Sequence, residues 1–251
     1  MLATNPRSNL FERTLLFHLW SDFLTRWKFK FTLPRVQTLT LEGLKLDVST
    51  LSSVMKNIIM LGRYEVQERK LVQDCLSRDD TVLEVGGAIG FIGLFCQTRL
   101  GITRYTTVEA NPHTVEILKK NYALNGLMPN VYNLALAAQD GEVTLNIGSE
   151  FWENSLIGGS NSGTSVRVPA ANLASLLQRL DYAPTALIID VEGAEQFVNF
   201  SEVPASVKKI MMELHPAVIG TAKTYQIVAD LINLGFQVER EDGGTFIFLR
   251  A

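Results

Sequence analysis

A strand, a glycine-rich turn and a helix follow one another at residues 81–91, and this order constrains the fold more than any other feature of the chain. The apolar run that ends at Val85 predicts a buried strand, and a helix is predicted to begin near Phe91. The glycines between them are Gly86, Gly87 and Gly90. Because glycine has no Cβ atom and tolerates positive φ, such a turn lets the backbone approach a nucleoside cofactor closely.

The positions of two acids relative to this turn indicate which cofactor binds. Glu84 lies two residues before Gly86, where a carboxylate repels a pyrophosphate but can bind the cationic amino group of S-adenosylmethionine. Glu109 follows Gly90 by nineteen residues, at the end of the next predicted strand, where it can accept protons from both ribose hydroxyls. The nearby Asn111 is a second candidate for the ribose. We therefore expect S-adenosylmethionine as the cofactor.

Composition excludes some classes of protein. The chain has 251 residues, of which 47% are hydrophobic and 20% charged, which suits one α/β domain with an extension. A net charge of −3 argues against nucleic acid as a partner, since nucleic acid favours a basic face. Cys75 and Cys96 form no C-x-x-C pair and have no metal-site spacing. Reduced, buried thiols of this kind suit the cytoplasm.

The first 50 residues predict a cap on a domain that spans residues 51–251. An amphipathic helix is predicted over 8–27 and a β-hairpin over 38–48. The apolar positions of the helix are Leu16, Trp20, Phe23 and Trp27. We expect this helix to pack on the domain or on a second copy, which would make a homodimer; peripheral binding to a membrane is the alternative. The pattern is too short for a membrane span and lacks the order of a signal peptide.

Strands and helices alternate after the cap. Strands are predicted at 81–85, 104–108, 130–135, 142–147, 185–190, 207–213, 236–240 and 245–250. Helices are predicted at 53–76 (broken around Gly62), 89–100, 112–124, 171–180, 193–200 and 217–234. This alternation predicts an α/β fold with a doubly wound, mostly parallel sheet. A tight turn at 241–244 makes the last two strands an antiparallel hairpin, which is typical of class I methyltransferases and not of dinucleotide dehydrogenases.

A long connector at residues 148–164 is rich in glycine, serine and asparagine, and is predicted to be a loop. Trp152 could stack on a small-molecule acceptor, and Asn154 and Ser155 could form hydrogen bonds with it. The alternative is a surface excursion without a role in binding.

Carboxylates occur at four of the five strand ends that face the predicted cleft. These ends carry Glu84, Glu109, Asp190 and Glu213, and the fifth is Ala135–Leu136. Ligands of such sheets bind beyond the carboxyl ends of the strands. Burying several carboxylates there is unfavourable unless each has a partner, and a cationic cofactor, its ribose and an alcohol substrate would supply partners. The alternative is that each acid caps the helix that follows.

Three acids within six residues straddle a further strand-to-helix turn. Asp190 is predicted to point into the cleft near the reacting methyl group, and Glu192 to contact substrate or cofactor. Glu195 falls in the first turn of the next helix, where a structural role is expected. Oxygen ligation of a metal by Asp190, Glu192 and Glu213 is an alternative, but no spacing is diagnostic, so no metal is expected.

His215 is the best candidate for a general base. It follows Glu213 by two residues, and an imidazole with a pKa near neutrality suits removal of a proton from an alcohol that attacks a methyl group. Glu213 is expected on the substrate side of the cleft. Much of the rate acceleration should come from alignment of the reactants in any case.

The chain resembles the FkbM-type S-adenosylmethionine-dependent methyltransferases from about residue 61 to its end. The motifs that carry the resemblance are G-R-Y-E, L-E-V-G-G-A-I-G-F, V-E-A-N-P, N-L-A-L, I-D-V-E-G-A-E and M-E-L-H-P. The resemblance implies that Tyr64 and Glu65 lie by the methionine end of the cofactor. Glu84 stands where the family more often has aspartate. The family implies O-methylation of a hydroxyl on a sugar, polyketide or other natural product.

The expected cofactor site follows from these motifs. The amino acid end is expected at Glu84, Gly86 and residues 64–65, the ribose at Glu109, and the adenine against Ala110, Ala135 and Leu136. Two other classes of function stay open. A nicotinamide-dependent oxidoreductase would need a proton donor such as Y-x-x-x-K, which the chain lacks. A non-catalytic domain would use the N-terminal helix to bind a membrane or a partner.

Overall fold

A computed structural model of the protein describes residues 33–148 and 164–251. The predicted helix over 8–27 and the predicted acceptor contacts Trp152, Asn154 and Ser155 lie outside the described residues. Within the two described ranges, no helix has the length and apolar character needed to cross a membrane.

The described residues form twelve strands and seven α-helices. The strands are β1 (Thr38–Leu41), β2 (Leu44–Asp47), β3 (Thr81–Val85), β4 (Arg104–Glu109), β5 (Asn130–Asn133), β6 (Ala135–Leu136), β7 (Gly141–Ile147), β8 (Thr164–Ala171), β9 (Ala186–Ile189), β10 (Lys209–Glu213), β11 (Gln237–Asp242) and β12 (Thr245–Leu249). The helices are α1 (Ser53–Met60), α2 (Val66–Cys75), α3 (Phe91–Phe95), α4 (Pro112–Leu124), α5 (Leu173–Gln178), α6 (Pro216–Ile219) and α7 (Thr221–Asn233).

A seven-stranded sheet forms the centre of the molecule, with the strand order β11-β12-β10-β9-β3-β4-β5. Strands β10, β9, β3, β4 and β5 run parallel, and β12 runs antiparallel to both β10 and β11. Gly243 and Gly244 both have positive φ in the turn between the last two strands. The predicted doubly wound sheet with an antiparallel C-terminal hairpin is confirmed.

Both faces of this sheet are covered, as the apolar strands require. In β3, Val82 packs with α1, α2, α3 and α4 on one face, while Leu83 and Val85 pack with α5 and α7 on the other. In β9, Ile188 and Ile189 divide between the same two faces. Because successive strand residues point to opposite sides, nearly continuous apolar runs are needed in strands buried on both faces.

The predicted hairpin before the domain is confirmed as β1 and β2, joined at Glu42 and Gly43. Its leucines share the apolar cluster of α1–α4. The backbone N–H of Asp47 donates to Asn121 Oδ1 at 2.6 Å, and that of Lys45 donates to Asn125 Oδ1 at 3.0 Å. The hairpin therefore packs directly on α4, while the division of the chain at residue 50 stays a prediction.

Two strand predictions were wrong in detail. The strand predicted at 130–135 is divided, because β5 joins the main sheet whereas β6 pairs with β8 in a separate three-stranded sheet of order β6-β8-β7. Strand β8 was not predicted at all, and the helix expected at 171–180 is the shorter α5. Pro169 lies within β8, opposite Glu142, and proline ordinarily argues against a strand.

Several helices also differ from the prediction. The helix expected at 89–100 consists of α3 followed by a π-helical turn at Cys96–Leu100. The helix expected at 193–200 is replaced by short 3-10 turns at Ala194–Phe197 and Phe200–Glu202. The side chain of Asn199 accepts a hydrogen bond from the N–H of Ser201, a local contact that competes with helix formation.

Candidate active site

A cleft lies at the carboxyl edge of the sheet, where the chain leaves β3 and β9 toward opposite sides. It contains a cavity of about 270 Å³. The predicted site residues that line it are Tyr64, Glu65, Gly86, Glu109, Ala110, Ala135, Leu136, Asp190 and Glu192. A smaller cavity of about 30 Å³ shares some of these residues and is also lined by Glu84, Gly87 and Glu213.

The glycine turn brings the ends of β3 and β9 together. Gly86 has φ +93°, and a Cβ atom there would lie 1.5 Å from the carbonyl oxygen of Asp190. A Cβ atom on Gly87 would lie 2.0 Å from Thr107 Cγ2. Gly90 lines neither cavity, and a Cβ atom there would lie 2.7 Å from Leu118 Cγ. Gly86 thus shapes the cleft, whereas Gly90 allows α3 to pack on α4.

Glu109 lies where a ribose-binding carboxylate is expected, at the end of β4. Its Oε2 atom accepts a hydrogen bond from the N–H of Ala88 at 2.9 Å, and its Oε1 atom accepts one from the N–H of Asn111 at 2.8 Å. Burial raises the pKa of Glu109 to about 7, although these N–H groups oppose the shift. Each oxygen keeps a further lone pair, so the carboxylate can still accept from a vicinal diol in the cavity.

Asn111 has a different place from the one predicted. Its side-chain oxygen accepts a hydrogen bond from the N–H of His113 at 2.9 Å and caps α4. It lines neither cavity. The structure therefore uses its side chain to begin the helix, and it places Ala110, the residue before, at the cavity wall.

Glu84 lies beneath the glycine turn, with only 2% of its surface exposed. Its Oε2 atom accepts a hydrogen bond from Thr107 Oγ1 at 2.8 Å. Burial raises the pKa of Glu84 to about 7, against the opposing effect of Thr107. Glu84 and Glu65 both line the smaller cavity, so the predicted contact of Glu84 with a cofactor amino group would be made from that side.

Replacing Glu84 by glutamine is expected to stabilise the protein at pH 8. Between pH 4.5 and 7 the unfolded chain loses the proton of this carboxyl while the folded chain keeps it, so the free energy of unfolding decreases as the pH rises. The E84Q variant has no carboxyl at this position and so does not lose stability in this way. At pH 8 its free energy of unfolding should exceed that of the wild type by about 1–3 kcal/mol. Urea unfolding at pH 4.5, 6 and 8 measures the difference.

The control for this prediction is the exposed Glu116 on α4, which pairs with Lys119 at 2.9 Å. E116Q should show no comparable gain between pH 4.5 and 8. A wild-type protein as stable at pH 8 as E84Q would contradict the assigned cause, namely the burial of this carboxyl.

Tyr64 and Glu65 lie between α1 and α2 in the chain and line the cleft. The ring of Tyr64 lies 5.6 Å from that of Phe91, centroid to centroid. Glu65 has φ +52°, an unusual conformation for a residue other than glycine, and it precedes α2. Burial and the charge of Glu68 raise the pKa of Glu65 to about 8. Both residues line the two cavities.

Four carboxylates surround His215. Its Nε2 atom lies 3.2 Å from Glu192 Oε2, 3.7 Å from Glu213 Oε1 and 3.8 Å from Asp190 Oδ1. On the other side of the ring, Nδ1 lies 3.3 Å from Glu195 Oε1. Burial lowers the pKa of His215, but the hydrogen bond with Glu195 and the charges of Glu192 and Asp190 outweigh it and raise the pKa to about 9.

Glu195 holds this histidine in place. It is fully buried, and its Oε1 atom also accepts the backbone N–H of His215 at 2.8 Å, while Oε2 accepts the N–H of Gly193 at 2.8 Å. Burial favours the neutral carboxyl, but the contacts with His215 outweigh it and lower the pKa of Glu195. The structural role predicted for Glu195 is thus made specific, because it orients the imidazole.

Asp190 has a strongly raised pKa. Burial, followed by the charges of Glu213, Glu65 and Glu192, holds the pKa of Asp190 well above its usual range. Its Oδ1 atom is buried and accepts no hydrogen bond from the described residues. Glu192 has φ +50°, and burial raises its pKa as well, although His215 opposes the shift. The predicted acids at 190, 192 and 213 are therefore brought to one place.

Sequence reasoning missed part of the cleft wall. Met55 and Ile58 of α1, and Leu145 of β7, line the larger cavity. The spacing of Met55 and Ile58, three apart on an amphipathic helix, was a signal that could have identified them as members of one apolar face. No local pattern predicts that Leu145 lines the cleft, because the place of β7 in the fold depends on its pairing with β8.

A doubly wound sheet with a glycine turn and a carboxylate at the end of the neighbouring strand defines a class of α/β domains that bind nucleoside cofactors. No protein-family model and no curated protein matches the sequence of this chain. Solved structures do match its fold. Ribosomal protein L11 methylase from Lactobacillus delbrueckii subsp. bulgaricus is 12% identical in sequence and has a TM-score of 0.46. The match covers 75% of this chain and 80% of the methylase chain.

Two further matches are similar in extent. Methyltransferase FkbM from Methylobacillus flagellatus KT is 13% identical, with a TM-score of 0.46, over 78% of this chain but only 53% of its own. TrmK from M. capricolum, solved in complex with the natural cofactor product S-adenosyl-homocysteine, is 7% identical, with a TM-score of 0.45, over 72% of this chain and 66% of its own. At these identities and scores the matches assign no activity to this chain.

Proposed function

We propose that this protein is an S-adenosylmethionine-dependent methyltransferase that acts on a hydroxyl group of a small molecule. The observation that carries the proposal is the division of the cleft into two chemically different ends. Glu109 and apolar side chains line the cavity at the end of β4, whereas Asp190 and Glu192 follow β9, on the other side of β3. Glu65 and the basic Arg63 also line the cavity. A nucleoside with a cationic amino acid end has the same division.

The cofactor would lie along the cleft in one direction. Its adenine would pack against Ala110, Ala135 and Leu136, and its ribose would bind Glu109. The amino acid end would lie by Tyr64 and Glu65, at the acidic end of the cleft. We keep Glu84 in this set because it lines the smaller cavity together with Glu65. Gly86 supports the proposal because it lets the ends of β3 and β9 approach at the cleft, where any side chain would meet the backbone of Asp190.

When bound, S-adenosylmethionine would supply a methyl group that an alcohol oxygen attacks in line, forming a C–O bond as the C–S bond breaks, with the hydroxyl proton passing to a base. The residues of this chain would align the two reactants, which is the largest contribution expected of them. Asp190 and Glu192 lie at the acidic end of the cleft. There they would stabilise the positive charge of the cofactor, whose sulfonium becomes neutral when the methyl group is transferred.

The proposed role of His215 as the base carries a condition. With a pKa of about 9 the imidazole is protonated at neutral pH and donates rather than accepts a proton. A positive charge placed beside Nε2 lowers that pKa, because like charges disfavour the protonated form. We therefore infer that His215 acts as a base only when the positively charged end of the cofactor lies beside Nε2 and no metal ion is bound to that nitrogen.

The acceptor side of the proposal depends on the FkbM-type motifs. They favour a hydroxyl on a sugar, polyketide or other natural product. Residues 149–163 come between β7, whose Leu145 lines the cavity, and β8 in the chain. The connector with Trp152, Asn154 and Ser155 thus starts from a strand of the cleft wall, which supports its proposed role in binding the acceptor. Glu213 would lie on the same side.

Isothermal titration with S-adenosylhomocysteine and, separately, with NADH tests the class of cofactor. We expect saturable one-site binding of S-adenosylhomocysteine and no heat of binding for NADH at the same concentrations. Binding of NADH without any response to S-adenosylhomocysteine would overturn the proposal in favour of a nicotinamide-dependent oxidoreductase. A screen of alcohol-bearing metabolites for consumption of the methyl donor would then identify the acceptor.

A further inference from the structure

We propose that Asp190, Glu213 and His215 form a binding site for a divalent cation beside the cleft. One ligand atom of each residue lies within 4.8 Å of the other two. The site stands on its own geometry, and only its use in methyl transfer rests on the function proposed above.

The topology of the sheet brings the two carboxylates together. Strands β9 and β10 are parallel neighbours, with Ile189 opposite Met212. Asp190 directly follows β9 and Glu213 is the last residue of β10, so both carboxylates lie at the same edge of the sheet. Both also line the smaller cavity, and Asp190 lines the larger one as well. A cation held by these two residues would therefore lie where the two cavities meet.

The separations within the cluster suit a shared cation better than direct hydrogen bonds. His215 Nε2 lies 3.8 Å from Asp190 Oδ1 and 3.7 Å from Glu213 Oε1, beyond hydrogen-bond distance in both cases. Ligand atoms that each lie about 2.1 Å from one metal ion are separated from one another by about 3–4 Å. Small adjustments of the three side chains would bring all three ligand atoms to that distance from one ion.

The orientation of His215 is the second observation that points to a cation. Metal-binding histidines usually donate their other ring N–H to a carboxylate, which fixes the ring and directs the free nitrogen at the metal. Glu195, fully buried, occupies that position at 3.3 Å from Nδ1. It also accepts the backbone N–H of His215. The imidazole is thereby held with Nε2 toward the carboxylates.

The unsatisfied acceptor on Asp190 is the third observation. Its Oδ1 atom is buried and accepts no hydrogen bond from any described residue. Buried polar atoms nearly always have a partner, and an ion or an ordered water is the usual explanation where the protein supplies none. Oδ1 is also the atom of Asp190 that faces Nε2 of His215, so a cation between them would give Oδ1 a partner.

Two carboxylates and one imidazole suit a cation that accepts both oxygen and nitrogen ligands, such as Mn²⁺, and leave coordination positions open. When bound, such a cation would polarise an acceptor hydroxyl placed where the two cavities meet. Glu192, whose Oε2 atom lies 3.2 Å from His215 Nε2, borders the same space. The chemical class of ligand is therefore a divalent cation, with the acceptor hydroxyl as a further ligand.

The test is a titration of the chelator-treated full chain with Mn²⁺, without any cofactor, followed by electron paramagnetic resonance. We expect the signal of free Mn²⁺ to fall until one equivalent is bound. Asp190→Asn and Glu213→Gln should each weaken binding at least tenfold. Pulsed measurements of the bound ion should show coupling to an imidazole nitrogen, and His215→Gln should abolish it.

Glu116→Gln, which removes an exposed carboxylate far along the chain from the cluster, should bind Mn²⁺ like the wild type. The proposal is overturned if binding is not saturable, if the bound ion shows no nitrogen coupling, or if Asp190→Asn binds unchanged. If a variant fails to fold, the nitrogen coupling of Mn²⁺ bound to the wild type still tests the proposal. Since no cofactor is present, a negative result here leaves the S-adenosylhomocysteine titration untouched, and the reverse also holds.

Discussion

Replacing Glu109 by alanine will weaken the binding of S-adenosylhomocysteine at least tenfold. The variant removes a carboxylate that two backbone N–H groups, those of Ala88 and Asn111, hold at the end of β4. Loss of two charge-assisted hydrogen bonds to a ribose accounts for an effect of this size, at about 1.5–3 kcal/mol for a hydrogen bond to a charged group. Isothermal titration at pH 8 measures it, and Glu116→Gln should leave the affinity unchanged.

The affinity of the wild type should also depend on pH. Because the pKa of Glu109 is raised to about 7, the carboxyl is ionised at pH 8 and mostly protonated at pH 6. A protonated carboxyl cannot accept from both hydroxyls while it accepts the two N–H groups, so affinity should fall about tenfold from pH 8 to pH 6. The affinity of Glu109→Gln should not show this dependence on pH.

If Glu109→Ala bound S-adenosylhomocysteine as tightly as the wild type, Glu109 would not be part of the ribose site.

Replacing Gly86 by alanine will destabilise the protein by about 3 kcal/mol or more and abolish cofactor binding. The added Cβ atom would lie 1.5 Å from the carbonyl oxygen of Asp190, a backbone atom that cannot move away by a change of rotamer. The ends of β3 and β9 would have to separate, and the φ of +93° adds backbone strain. Urea unfolding and titration with S-adenosylhomocysteine measure the two effects.

Gly126 provides the matched control. It also has positive φ, at +73°, but nothing lies within 4 Å of the position that a Cβ atom would take. Gly126→Ala should therefore show the conformational effect alone, about 1 kcal/mol, with cofactor binding intact. If Gly86→Ala proved no more destabilising than Gly126→Ala, the close approach of the two strand ends would not be what requires glycine at residue 86.

Local patterns predicted the elements whose signals are contained within a few residues. The hairpin at Glu42 and Gly43, strand β3 and helix α4 have the bounds expected, or nearly so, because alternation, a glycine turn and a first-turn proline are local features. Strand β8 was not predicted because it contains Pro169 and depends on pairing with β7. The helix expected at 193–200 failed because contacts of Glu195 and Asn199 with nearby backbone replace helical ones.

The residues of the candidate site also fall into two groups, those that local patterns predict and those that depend on tertiary packing. The residues of the cleft that follow strands, such as Glu109 and Asp190, could be predicted because parallel strands bring their carboxyl ends to one edge. Gly90 and Asn111 have the residue types of a binding site but serve packing and capping, which depends on where α3 and α4 lie. Met55 and Leu145 reach the cleft only through the packing of α1 and β7.

The sequence by itself determined the alternation of strands and helices, the glycine turn and the acids at the strand ends, since these depend on spacing along the chain. The tertiary structure decided the chemical state of the acids and of His215. Burial and mutual repulsion raise the pKa of Asp190, and Glu195, twenty residues from His215, orients the imidazole. Such effects act through space, because a charge responds to the groups packed around it and not to its neighbours in sequence.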